Sequence, residues 1–252
     1  MNSQPSQSLL EADEPAPVRI INPGGRASFL LIGDHAGNLV PRALEPFGVA
    51  RADLERHIGW DIGIAALGEM LAGMLDATFI AQCYSRLVID CNRSPEAFDA
   101  MPEASDGTPI PANAATLDAA ARAARVAAIH APYQAAIAAE LARRDAAGED
   151  TVLVALHSFT PVMRGFARPW QIGILHGGGN EAYARSVLAA LEARGDLVVG
   201  DNEPYAMDTI DFTIPNHAFA KARRYVETEI RQDLLASEDQ IRGWAEVLMQ
   251  VL

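Results

Sequence analysis

Short apolar runs that stop abruptly at polar side chains recur along the chain, and their rhythm predicts the fold. Residues 29–32 (Phe-Leu-Leu-Ile) and 151–156 (Thr-Val-Leu-Val-Ala-Leu) are unbroken apolar stretches of the kind found in strands covered on both faces. Residues 78–89 read as one or two further strands, with Leu87, Val88 and Ile89 running into Asp90, Asn92 and Arg93; residues 170–176, 197–199 and 224–231 add three more. Apolar residues at helical spacing predict helices over 58–75, over an alanine-rich stretch at 113–147 that Pro132 breaks or kinks, over 181–194, and around Trp244, Val247, Leu248 and Val251. Strands alternating with helices predict one α/β domain over residues 26–252, built on a mixed, mostly parallel central sheet with helices on both faces. Residues 1–25, rich in Pro, Ser, Glu and Gly and without periodicity, read as a mobile arm. The 94–112 segment, with four prolines and an Asp-Gly turn, is a loop whose length suits a place beside a site.

The polar strand ends carry the candidate chemistry, because ligands of open α/β sheets bind beyond the carboxyl ends of the strands. One such end presents His35 between Gly33 and Gly37, a second gathers Asp90, Asn92 and Arg93, and a third is His157-Ser158. The second is either a salt-bridged strand end or an anchor in which a guanidinium takes an anionic ligand. Asp61 falls in the first turn of the helix expected from residue 58, where capping would explain it without any chemistry. Taken together, His35, Asp61 and His157 are two imidazoles and a carboxylate, the donor set with which a catalytic zinc keeps one position open for water. Ser158 lies next to His157, but neighbours on a strand face opposite ways and no Gly-x-Ser-x-Gly is present, so a serine nucleophile is disfavoured. The glycine run 177–179 lacks the lysine of a P-loop and reads as a turn. The polar loop 200–205 offers Asn202 and Tyr205 as candidate substrate contacts, His130 reads as a structural histidine, and His217 lies in a further loop.

Composition narrows the partners. A chain of 252 residues with a net charge of −13 repels nucleic-acid phosphates and anionic membrane surfaces, so neither is an expected partner, and an anionic ligand needs a local basic pocket. No apolar run reaches the roughly 18 residues of a membrane span, and no basic-then-apolar leader opens the sequence; a cytoplasmic location is the expectation. The two cysteines, Cys83 and Cys91, show no metal or disulfide spacing and read as reduced thiols.

Five segments in order, Gly33-Asp34-His35-Ala36-Gly37, His57-Ile58-Gly59-Trp60-Asp61-Ile62-Gly63, residues 85–93, Leu156-His157-Ser158-Phe159-Thr160-Pro161 and Glu229-Ile230-Arg231-Gln232-Asp233-Leu234, together resemble the N-formylglutamate amidohydrolase family. That family is similar to the zinc carboxypeptidases and aspartoacylases, which implies a phosphorylase/hydrolase-like fold of the zinc exopeptidase type. The resemblance implies one zinc ion held by His35, Asp61 and His157, Arg86 polarising the scissile carbonyl, Asn92 and Arg93 holding the substrate carboxylate, and Glu229 as general base. One position departs from the relatives: three residues after the first histidine, where they have an acid, this chain has Asn38. The reaction implied is zinc-dependent hydrolysis of an N-formyl or other N-acyl amino acid, nominally N-formylglutamate.

Three alternatives remain at this point. The same constellation would serve a small carboxypeptidase or peptidoglycan-type amidase, and Arg86 with Arg93 would serve a metal-free module that binds carboxylates. Strand alternation puts Glu227, Glu229 and Arg231 on one face, so Glu229 is either the base or half of an ordinary ion pair with Arg231.

Overall fold

The computed structural model describes residues 8–114 and 117–252. In chain order it contains β1 (Val18–Ile21), β2 (Phe29–Gly33), a single turn α1 (Arg51–Leu54), α2 (Ile64–Leu75), β3 (Thr78–Gln82) and a hairpin of β4 (Ala104–Ser105) and β5 (Thr108–Pro109). These are followed by α3 (Ala119–Arg125), α4 (Ala131–Ala146), β6 (Val152–Phe159), a second hairpin of β7 (Val162–Met163) and β8 (Phe166–Ala167), and β9 (Ile172–Leu175). The chain closes with α5 (Ala182–Arg194), β10 (Val199–Asp201), α6 (Thr213–Ala218), β11 (Tyr225–Arg231) and α7 (Glu238–Val251).

Seven strands form one sheet in the order β1-β3-β2-β6-β11-β9-β10. The central strands β3, β2, β6 and β11 are parallel, while β1 and β9 join antiparallel and β10 follows β9. Alternate side chains of each strand enter opposite cores. Leu31, Val154, Val226 and Ile230 meet α2, α5 and α7 through Leu67, Leu71, Val187, Leu191, Trp244 and Leu248. Leu30, Ile32, Leu153 and Tyr225 meet α4 and α6 through Tyr133, Ile137, Ile214 and Ala218. Covering both faces is what the unbroken apolar strand runs require. The result is the expected α/β domain with a mostly parallel sheet between helical layers, and among the described residues no helix is long and apolar enough to cross a membrane.

Three expectations need correction. The stretch read as a mobile arm contributes β1, whose residues 18–21 pair with β3 along the sheet edge; residues 1–7 of that stretch lie outside the described residues. The helix expected over 113–147 starts only at Ala119, and Pro132 distorts it without breaking it: α3 passes into α4 through one π turn, Val126–His130, directly ahead of the proline, whose ring and missing N–H do not fit a regular helical turn. Leu87, Val88 and Ile89 are fully buried but form no strand, since β3 ends at Gln82.

That buried irregular segment explains several polar side chains, because a carbonyl hidden from water needs a donor. Asn113 Nδ2 donates to Leu87 O (2.8 Å), Arg125 Nη1 to Val88 O (3.0 Å), Gln134 Nε2 to Cys91 O (2.8 Å) and His130 Nε2 to Arg93 O (3.0 Å). His130 is thus structural, and so is His217, which meets Gln134 Oε1 at 2.7 Å. Arg125 also reaches Ala112 O and Asn113 Oδ1. Arg125→Ala therefore leaves two buried acceptors and one half-buried acceptor without this partner, and at roughly 1–3 kcal/mol for each stranded buried group the variant should lose about 3 kcal/mol in a urea titration.

Candidate active site

The carboxyl ends of β2, β6 and β11 place the chemistry. His35 leaves β2 two residues past its last one, on a turn that can pass β3 only because residue 37 is glycine: a Cβ there would lie 2.0 Å from Cys83 O. His157 lies near the end of β6, directly opposite Glu229 of β11. Asp61 comes from the irregular segment ahead of α2, whose N-cap is Gly63, so it is not in a helical first turn and does not cap one. Its backbone N–H donates to His35 O at 2.9 Å, which ties that segment to the β2 turn.

His35, Asp61 and His157 converge, with donor atoms within 4.8 Å of one another and all three residues buried. Asp61 Oδ2 lies 3.3 Å from His35 Nδ1 and 2.9 Å from His157 Nδ1. The outer nitrogen of each ring also meets a carboxylate: His35 Nε2 lies 2.7 Å from Asp90 Oδ1, and His157 Nε2 faces Asp34 Oδ2 at 3.3 Å, within ion-pair distance but off the line of a hydrogen bond. An imidazole whose Nε2 carries its proton toward a carboxylate offers a bare lone pair at Nδ1, and both Nδ1 atoms point at the same Asp61 oxygen. Two lone pairs and a carboxylate oxygen in that arrangement call for a cation between them, a proton or a metal ion.

Electrostatics agree. Burial pushes the Asp61 carboxyl up, but His35 and His157 outweigh it and hold the group far below the ordinary carboxylate range. Burial works against a charged His157, yet Asp34 and Asp61 hold its imidazole well above the usual value. Burial likewise lifts the glutamates of β11, Glu227 to about 8 and Glu229 to about 7. This is a place where negative charge exceeds what the chain's own cations balance, which suits a dication.

The triad sits in a cavity of about 480 Å³ whose wall also includes Arg86, Asn92, Arg93, Tyr205, Glu227 and Glu229. Arg86 straddles two acids, 2.7 Å from Asp90 Oδ2 and 3.3 Å from Asp61 Oδ1, with its side chain 27% exposed. Arg93 is engaged by Asp99 at 3.1 Å and Asp211 at 3.6 Å. Asn92 accepts from the Phe212 and Thr213 amides at the start of α6, so its oxygen serves the fold. Tyr205 Oη accepts from Arg168 Nη1 at 3.1 Å. Asn202 does not line the cavity: its side chain accepts from the His176 amide, a turn contact. Asn38 donates toward Leu54 O, away from the triad, so Asp61 and not Asn38 accompanies the histidines. Ser158 Oγ donates to Ile62 O on the opposite face of β6.

Glu229 forms no pair with Arg231, which binds Asp233 instead, and both Glu227 Oε2 and Glu229 Oε2 are buried without a hydrogen-bond partner. Glu227 approaches His157 at Nε2 (3.9 Å), the ring edge away from Asp61. Glu229 feels the charges of His157, Asp61, Arg86 and His35. Sequence reasoning missed Asp34 altogether. The one available signal was an acid beside a histidine in Gly-Asp-His-Ala-Gly, but Asp34 serves the other histidine, His157, a partnership that only the β2–β6 pairing creates.

Comparison with known proteins gives a consistent result. The family model for N-formylglutamate amidohydrolase matches residues 27–236. Among solved structures, the gene product Atu2144 from Agrobacterium tumefaciens is 36% identical over 96% of each chain, with a TM-score of 0.92. The N-formylglutamate amidohydrolase from Ralstonia eutropha JMP134 shares the fold at 18% identity and a TM-score of 0.68, over 94% of this chain and 96% of that one. No curated protein matches the chain.

Proposed function

The chain belongs to the N-formylglutamate amidohydrolase family, and we propose that it is a zinc-dependent hydrolase of small N-acyl amino acids, N-formyl derivatives first among them. The observation that carries this reading is the convergence of two histidine Nδ1 atoms on Asp61, each ring backed by a carboxylate, at the base of one cavity with Arg86 and Glu229. His35, Asp61 and His157 would hold the ion. When bound, zinc supplies a water with a pKa of about 7 and a Lewis-acidic contact for the carbonyl.

The remaining roles fall to the protein. Glu229, raised by burial to about 7, takes the proton of the attacking water and passes it to the leaving amine. Arg86, held in place by Asp90 and partly open to the cavity, stabilises the oxyanion that develops on the acyl carbon. Arg93 offers a fork to the substrate carboxylate, in exchange with Asp99 and Asp211. The cavity suits a small substrate, since the β4–β5 hairpin, the β7–β8 hairpin and the 205–211 loop all contribute to its wall.

The test is metal analysis of protein purified without a histidine tag, together with formate release from a panel of N-formyl amino acids. About one zinc per chain is expected, with activity lost on chelation and restored by zinc. Full turnover by metal-free protein would overturn the proposal.

A further inference from the structure

We infer that Arg164, at the tip of the β7–β8 hairpin, is the residue that selects substrates with a second carboxylate, that is, N-acyl derivatives of acidic amino acids. This rests on the amidohydrolase reading above and adds to it the side of the cavity that reads the amino acid. The cavity wall carries more carboxylates than guanidinium groups, so a substrate with two negative charges needs positive charge that is not already committed. Arg86 is bound to Asp61 and Asp90, and Arg93 to Asp99 and Asp211. Arg164 also lines the cavity; it is exposed to solvent, and among the described residues it forms neither an ion pair nor a side-chain hydrogen bond.

The hairpin that carries it has a defined shape. Met163 pairs with Phe166 across a two-residue turn in which Arg164 (φ 49°) and Gly165 (φ 81°) both take the left-handed conformation that a tight hairpin demands. Arginine adopts that conformation less readily than Asn or Gly. The hairpin closes on itself at its base, where Arg168 N donates to Pro161 O at 2.9 Å and Thr160 Oγ1 to Val162 O at 3.1 Å. The Arg168 guanidinium lies between the Phe159 and Tyr205 rings, 5.7 and 4.8 Å from their centroids. An uncommitted guanidinium on an anchored support can fork onto a carboxylate with little loss of its own freedom.

The experiment compares Arg164→Asn, which removes the charge and favours the turn, with Arg164→Lys, which keeps the charge. On zinc-loaded protein, the ratio of kcat/KM for N-formylglutamate over N-formylglutamine should fall roughly ten- to a hundredfold in Arg164→Asn, the range of a charge-assisted hydrogen bond, and fall less in Arg164→Lys. Calorimetric binding of the products, glutamate against glutamine, should show the same loss of discrimination without any turnover. An unchanged ratio in Arg164→Asn, by rate or by binding, overturns the assignment. If the wild type releases formate from no N-formyl amino acid, the hydrolase reading fails, while the glutamate-to-glutamine binding ratio still decides the role of Arg164.

Discussion

His157→Ala is expected to abolish tight zinc binding and hydrolysis together. Under the proposed assignment His157 is one of three protein ligands, and its removal would leave the ion with His35 and Asp61 alone. The readout that separates this from simple destabilisation is linkage: zinc at a hundred times its dissociation constant should stabilise the wild type by about 2.7 kcal/mol, and the variant by nothing, whatever the stability of each without metal. Asp61→Asn is the companion variant. It keeps size and one acceptor, and because Asp61 precedes α2 and makes its side-chain contacts with His35, His157 and Arg86, loss of zinc binding in it cannot be assigned to a lost helix cap. An undiminished zinc response in His157→Ala would remove the basis for the metal site.

What the sequence could and could not announce follows from range. The strands of the central sheet were legible because an element buried on both faces leaves an unbroken apolar run, as in β2 and β6. The same rule misled at residues 87–89: burial makes Leu87, Val88 and Ile89 apolar, but the Leu87 and Val88 carbonyls are satisfied by Asn113 and Arg125 instead of a neighbouring strand. Periodicity carries no record of such long-range donors. Of the residues proposed for the site, His35, Asp61 and His157 meet as a cluster, whereas Asn202 turns to the His176 amide. A polar residue in a loop advertises availability, and only the folded chain decides between a ligand and a turn. Asp34 and Asp90 show the converse, since carboxylates that orient histidines carry no spacing signal when the fold alone brings them there, the β2–β6 pairing for Asp34 and the irregular segment after β3 for Asp90.

The choice between the two glutamates of β11 gives the sharpest kinetic expectation. Strand alternation aims Glu227 and Glu229 into the same cavity, both buried and both with an unpartnered oxygen, so either could in principle accept a proton. Their surroundings differ. Glu227 approaches His157 at Nε2, the nitrogen turned away from Asp61 and toward Asp34. Glu229 is opposite His157 in the β6–β11 register and, besides His157, stands among the charges of Asp61, Arg86 and His35, the last two of which are not among the leading influences on Glu227. Glu229→Gln keeps the size and one acceptor but cannot take a proton, so kcat should fall by roughly two to four orders of magnitude with zinc content retained. Glu227→Gln, which leaves the base in place, should lose no more than about tenfold, the scale of one altered hydrogen bond near a ligand. Turnover close to normal in Glu229→Gln beside a dead Glu227→Gln would reverse the two roles, and would place the proton acceptor on the Nε2 edge of His157.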